Sequence, residues 1–149
     1  VDAIDLTLVE LLQGNARLSY AELARQVGLS SPAVHERVGK LESAGVIRGY
    51  RADVDPEAVG LGVTAFIGLV EDSGADTDDV LEALRAMPGI ESCYFMAGVE
   101  SFLCMARVGT IAQLEQLILQ LNRIPGIAST RTAIALSTKW EDRPQQITS

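Results

Sequence analysis

Along the first fifty residues the apolar positions recur every third or fourth residue, and beyond position 62 they alternate with polar ones or gather in short runs. The first pattern is that of amphipathic helices, the second that of strands. Ile4, Leu8, Leu11 and Leu12 define a first helix, with Asp2 as its N-cap and Gly14 where a C-cap falls. A capping box, Ser19 to Glu22, opens a second helix whose apolar side is Leu23, Ala24 and Val27, and Gly28 ends it. The third takes Ser31 as N-cap and Pro32 as its first helical residue, turns Val34, Val38 and Leu41 to one side, and closes at Gly45. Val46 to Val54 follows as a strand or narrow hairpin bent at Gly49.

Residues 55–61 hold Pro56 and Gly60 and no period, which predicts a hinge between a domain at 1–54 and another at 62–140. In the second domain strands are predicted near 62–70, 90–97, 101–108 and 127–138. Val63, Ala65, Ile67 and Leu69 alternate in the first of them. Helices are predicted near 77–87, with Val80, Leu81 and Leu84 inward, and after a Thr110 to Gln113 capping box, with Leu114, Leu117, Ile118 and Leu121 inward. An internal repeat, Leu84-x-x-Met87-Pro88-Gly89-Ile90 and Leu121-x-x-Ile124-Pro125-Gly126-Ile127, makes two β-α-β units of this domain. The order βαββαβ predicts a ferredoxin-like sandwich, hence an α+β protein, with two helices on one face of an antiparallel sheet. The other face of so apolar a sheet predicts self-association, and the polar tail 141–149 is expected to fray.

Composition narrows the chemistry. With 149 residues, 48% hydrophobic and 21% charged, the chain has enough apolar content for one or two small cores. No apolar run approaches the roughly 18 to 20 residues of a membrane span, and acids stand at the start where a signal peptide carries bases, so a cytoplasmic protein is expected. The single histidine, His35, allows neither a Ser/His/Asp relay nor a multi-histidine metal site. Walker and dinucleotide fingerprints are absent, so neither an enzyme nor a cofactor or metal is expected. Cys93 and Cys104 are too few for a disulfide scaffold and read as small buried hydrophobes; a redox switch would need one of them exposed with a lowered pKa. Tyr94, Phe95, Phe102 and Trp140 are expected in the sheet or a dimer interface.

The formal charge of −8 conceals a local reversal, because residues 15–51 carry Arg17, Arg25, Arg37, Lys40, Arg48 and Arg51 against Glu22, Glu36 and Glu42. In that net-basic stretch the spacing Ala24-x3-Gly28-x5-Val34 meets the steric needs of a helix-turn-helix: a small residue where helices cross, a glycine for positive φ, and an apolar filler in the angle. Such a unit offers its second helix to the DNA major groove, and the Val46 to Val54 ribbon fits a wing.

Asp2-x-x-Asp5, Asn15-Ala16-Arg17-Leu18-Ser19, Glu22-Leu23-Ala24, Val27-Gly28-Leu29-Ser30, Arg37-Val38-x-x-Leu41-Glu42, Gly45-Val46-Ile47-x-Gly49-Tyr50 and Ala52-x-Val54-Asp55-Pro56 follow in an order that resembles the Lrp/AsnC, or feast/famine, family over nearly the whole chain. The resemblance implies a regulator of transcription that binds double-stranded DNA and, between dimers, amino-acid effectors. It further implies homodimers through the sheet domains, assembled into octamers or larger rings. Many relatives carry Gly-Asp-x-Asp at the turn between the second and third strands, whereas this chain has Gly98-Val99-Glu100-Ser101. Those four residues are the candidate effector site, with Glu100 placed to meet an ammonium group; a plain solvated turn is the alternative.

For DNA the candidates are Ser30, Ser31, Pro32, His35, Glu36, Arg37 and Lys40 on the third helix, with Arg48 and Arg51 on the wing as phosphate contacts. Glu36 either accepts from a cytosine amino group or pairs with Lys40, and Arg37 either contacts phosphate or makes a structural ion pair. A DNA-coating, nucleoid-type protein with little effector control is the competing function.

Overall fold

The computed structural model of the protein describes residues 1–148, which form two compact units, Val1–Asp53 with residues 140–148, and Val54–Lys139. The first contains α1 (Ala3–Gly14), α2 (Tyr20–Val27) and α3 (Ser31–Ser43). Asp2 and Asp5 cap α1 reciprocally, as Ser19 and Glu22 cap α2. Leu8, Leu12, Leu23, Ala24, Val34 and Val38 meet in one buried cluster, each large aliphatic side chain contributing about 1.5–3 kcal/mol relative to exposure.

Three local expectations shift. Gly14 is the last residue of α1 and Asn15 the cap. Ser30, and not Ser31, caps α3, its hydroxyl accepting from the Ala33 amide at 3.3 Å. A cap at Ser31 would have had Val34 to serve at its N3 position, but that amide already donates to the Ser30 carbonyl. The third concerns the strand or hairpin expected at Val46 to Val54, which does not form. The Val46 and Ile47 amides both donate to the Leu41 carbonyl, closing α3 over left-handed Gly45, and residues 48–54 continue without a strand ladder. Arms this short, bent at one glycine, cannot hold a two-stranded ribbon by themselves.

The second unit opens on a 3-10 turn, Glu57–Val59, within the segment 55–61 expected to be a hinge, and continues as β1 (Val63–Glu71), α4 (Thr77–Arg85), β2 (Ile90–Phe95), β3 (Phe102–Val108), α5 (Ile111–Asn122) and β4 (Ile127–Ile134). The sheet runs β2-β3-β1-β4, every neighbour antiparallel, which is the ferredoxin-like order. Ala65, Ile67 and Leu69 are buried with Val80 and Leu84 of α4, and with Leu114, Leu117 and Leu121 of α5. β4 stops at Ile134, short of the predicted 138, because its partner ends: Ile134 faces Ala65 and the Ala135 amide makes the last bond, to Thr64. The Thr110 box is also altered. Gln113 accepts from Gly109 rather than from Thr110, since Gly109 has no side chain to stand between them.

Two further expectations change. Cys104 is buried as predicted, but Cys93 is exposed, because β2 is an edge strand. Trp140 lies outside the sheet, exposed, with the Arg143 guanidinium 4.8 Å over its ring. In the tail, expected to fray, the Ile147 and Thr148 amides and the Thr148 hydroxyl all donate to the Glu10 carboxylate, which holds that carboxyl below its ordinary pKa. Among the described residues no helix is long and apolar enough to cross a membrane.

Candidate functional site

In the helical unit, Gly28 takes φ 73° at the turn, Leu23 and Ala24 are buried beneath it, and Val34 fills the angle between α2 and α3. Burying Val34, Val38 and Leu41 leaves Pro32, His35, Glu36 and Lys40 exposed along the rest of α3. This is the geometry of a helix whose polar side is free to enter a groove. Glu36 and Lys40 pair at 3.0 Å one turn apart. The His35 ring meets Tyr20 edge to face at 4.7 Å, an orienting contact from the start of α2 that the helical periodicity did not single out. Ser31 is half-buried in the first turn, and Ser30, Arg48 and Arg51 are exposed.

Arg37 makes the structural ion pair that was one of its two alternatives. Its Nη1 donates to Asp2 at 2.7 Å and to Asp5 at 3.0 Å, tying α3 to the start of α1. The guanidinium, joined by the Asp5 amide, holds the Asp2 carboxyl down at about 2, and the two carboxylates raise Arg37 in turn.

In the sheet unit the Gly98 turn caps the β2–β3 hairpin, with Gly98 at φ 146°. The Ser101 amide donates to the Leu69 carbonyl, and the Ser101 carbonyl accepts from Met96, both at 2.8 Å, so the turn is anchored to β1. Glu100 folds over Gly68 and reaches Arg131 of β4, Oε1 to Nη1 3.5 Å. These residues border a cavity of about 250 Å³ on the face of the sheet away from the helices, lined also by Phe66, Met96, Leu103 and Ala133. Of the four predicted turn residues, Gly98 and Glu100 line this cavity, whereas Val99 stands out in solvent and Ser101 serves as the anchor. Arg131 was not foreseen, because only the register that sets it opposite Gly68 brings it to Glu100.

The same face carries Phe66, Leu103, Met105 and Ala133 beside the buried Arg107, whose Nη1 donates to Thr64 at 3.0 Å and whose Nε meets Glu91 at 3.2 Å. α4 and α5 pack on the other side, so neither helix of the sheet unit covers this face.

Residues 1–48 match the family model described as winged helix-turn-helix DNA-binding, and residues 64–145 match the Lrp/AsnC ligand binding domain. The HTH-type transcriptional regulator LrpA of Mycobacterium tuberculosis is 41% identical over 143 residues, spanning 96% of this chain and 95% of that protein. The regulatory protein AsnC of Escherichia coli K12 is 36% identical over 137 residues, spanning 91% and 90%. Among solved structures, a feast or famine regulatory protein of M. tuberculosis complexed with L-methionine superposes with TM-score 0.91 at 38% identity, covering 97% of this chain and 98% of that one. E. coli AsnC superposes with TM-score 0.89 at 34% identity, covering 98% of each. These relatives are regulators of transcription and not enzymes. From helix-turn-helix to sheet domain, the chain belongs to the Lrp/AsnC family of DNA-binding transcriptional regulators.

Proposed function

We propose that this regulator reads DNA through the exposed side of α3, with Ser31, Pro32, His35, Glu36 and Lys40 toward the groove and Arg48 and Arg51 toward phosphates, and that free amino acids bound at the Gly98 turn control it. Arg37 positions α3 from behind. The observation that carries the effector reading is the Glu100–Arg131 pair at the rim of the cavity. An amino acid brings one ammonium and one carboxylate, and it can exchange the 3.5 Å ion pair for two charge-assisted contacts. Glu100 accepts from the ammonium, Arg131 donates to the carboxylate, and Phe66, Met96 and Leu103 receive the side chain. A methionine-bound relative supports this class of ligand.

Homodimers form through the sheet domains, and dimers assemble into octamers or larger rings with the effector between them. The effector acts by favouring one of those arrangements through different affinities for each. The test is a thermal-shift scan of the purified assembly against the standard amino acids, followed by binding of labelled upstream DNA with and without each hit. A few amino acids are expected to raise the melting temperature and to change DNA affinity. No shift with any of them at millimolar concentration overturns the effector reading and leaves the DNA-coating function.

A further inference from the structure

Cys93 on β2 and Cys104 on β3 are direct cross-strand partners, with their sulfurs 3.8 Å apart. At the end of this hairpin the Met96 amide donates to the Ser101 carbonyl, one of the two bonds of a hydrogen-bonded position, while the Ser101 amide turns to Leu69. The register back from it is unbroken, so Tyr94–Leu103 is the next hydrogen-bonded pair and Cys93–Cys104 occupies a non-hydrogen-bonded position. There the Cα atoms of an antiparallel pair come within about 4.5 Å, inside the roughly 4.4–6.8 Å that a disulfide spans. One sulfur is exposed and the other buried, and the chain has no third cysteine to compete.

We propose that Cys93 and Cys104 are a peroxide-oxidisable pair that closes to a disulfide across the β2–β3 hairpin and stiffens the turn carrying Gly98 and Glu100. The oxidant is a hydroperoxide. The exposed Cys93 sulfur attacks one peroxide oxygen, the O–O bond breaks, and Cys93 becomes a sulfenic acid while the other oxygen leaves as alcohol or water. The Cys104 sulfur then attacks the Cys93 sulfur, the S–O bond breaks, and the Cys104 proton departs with the hydroxyl as water. Two electrons leave the thiol pair and reduce the peroxide. Geometry sets the order of events: only Cys93 is open to solvent, and the Cys104 thiol already donates toward its sulfur. Burial, with the neighbouring Cys93 second, pushes the Cys104 thiol up to about 12, so Cys104 does not start the reaction; its place beside the Cys93 sulfur makes it the resolving thiol. Closure itself stands apart from the effector reading; only its consequence for ligand control rests on that reading.

The experiment treats the reduced full-length protein with hydrogen peroxide, alkylates it under denaturing conditions, and maps it by mass spectrometry. The expected product has lost two hydrogens, takes up no alkyl group, yields one peptide pair linking Cys93 to Cys104, and reverts with dithiothreitol. Amide hydrogen exchange over residues 96–101 slows on oxidation. Cys104→Ser is expected to stop at Cys93 sulfenic or sulfinic acid, but the wild-type map decides the matter if that variant fails to fold. A Cys93 sulfinate beside a free Cys104, a Cys93–Cys93 link between chains, or two unreacted thiols overturns the pair. A disulfide with unchanged exchange at the turn overturns the stiffening. None of these outcomes depends on whether an amino acid binds, so failure of the effector reading stays separate.

Discussion

A Cβ on Gly68 would stand 2.6 Å from the Glu100 Cγ, so the glycine of β1 and the glutamate of the β2–β3 turn depend on one space. That vacancy lets Glu100 lie back over the sheet toward Arg131. Gly68→Ala is expected to displace a flexible side chain and not backbone, leaving the domain folded. It weakens amino-acid binding roughly tenfold or more, the worth of a charge-assisted hydrogen bond, as measured by isothermal titration.

Glu100→Gln keeps the shape and removes the charge. Effector affinity is expected to fall by roughly ten- to a hundredfold, while DNA binding without effector is unchanged. Titrations of ligand and of labelled duplex on one preparation check both halves, and an unchanged effector affinity would exclude Glu100 as the ammonium partner.

The Asp2–Arg37 contact has a pH signature of defined sign. The Asp2 carboxyl is held at about 2 in the folded chain against an ordinary 3.8, so its stabilising effect is complete above about pH 4 and is lost as pH falls toward 2. Arg37→Met should lower the melting temperature of the helical unit at neutral pH, with the gap to wild type closing between about pH 4 and 2. Circular dichroism melts across that range provide the measurement.

The two copies of the Pro-Gly-Ile repeat make the same turn bonds, Ile90 to Met87 and Ile127 to Ile124, but their glycines differ in conformation. Gly126 takes φ 97°, with an added Cβ 3.0 Å from that of Ala75, whereas Gly89 avoids positive φ and an added Cβ would meet Leu117 at an ordinary 3.4 Å. Gly126→Ala is therefore expected to cost about 1–2 kcal/mol from conformation alone, with crowding added. Gly89→Ala should change stability by less than about 1 kcal/mol, because only helix-or-strand propensity is altered. Denaturant unfolding of the two variants gives the comparison.

What proved legible in the sequence was local. Capping at Asp2 and Ser19, the left-handed Gly28, and the Leu84 and Leu121 corners each depend on residues within a turn of one another. The βαββαβ order followed because the repeat marked where each helix ends. What the sequence left open, or placed wrongly, depends on partners far along the chain. Arg37 finds Asp2 and Asp5 across the bundle, Glu100 finds Arg131 through sheet register, and Cys93 is exposed because β2 lies at an edge. The Val46–Val54 ribbon failed for a related reason: strand-like residues predict extended backbone, not a neighbour to pair with.

The Ser30 cap limits what the start of α3 can offer to an anion. Its hydroxyl occupies the Ala33 amide, its carbonyl occupies that of Val34, and Pro32 has no amide. Among the described residues this leaves Ser31 as the sole first-turn donor without an acceptor in the chain, where a helix start ordinarily offers a phosphate several. A phosphate that approaches this helix start therefore meets one free backbone amide, and any further hold on it falls to side chains.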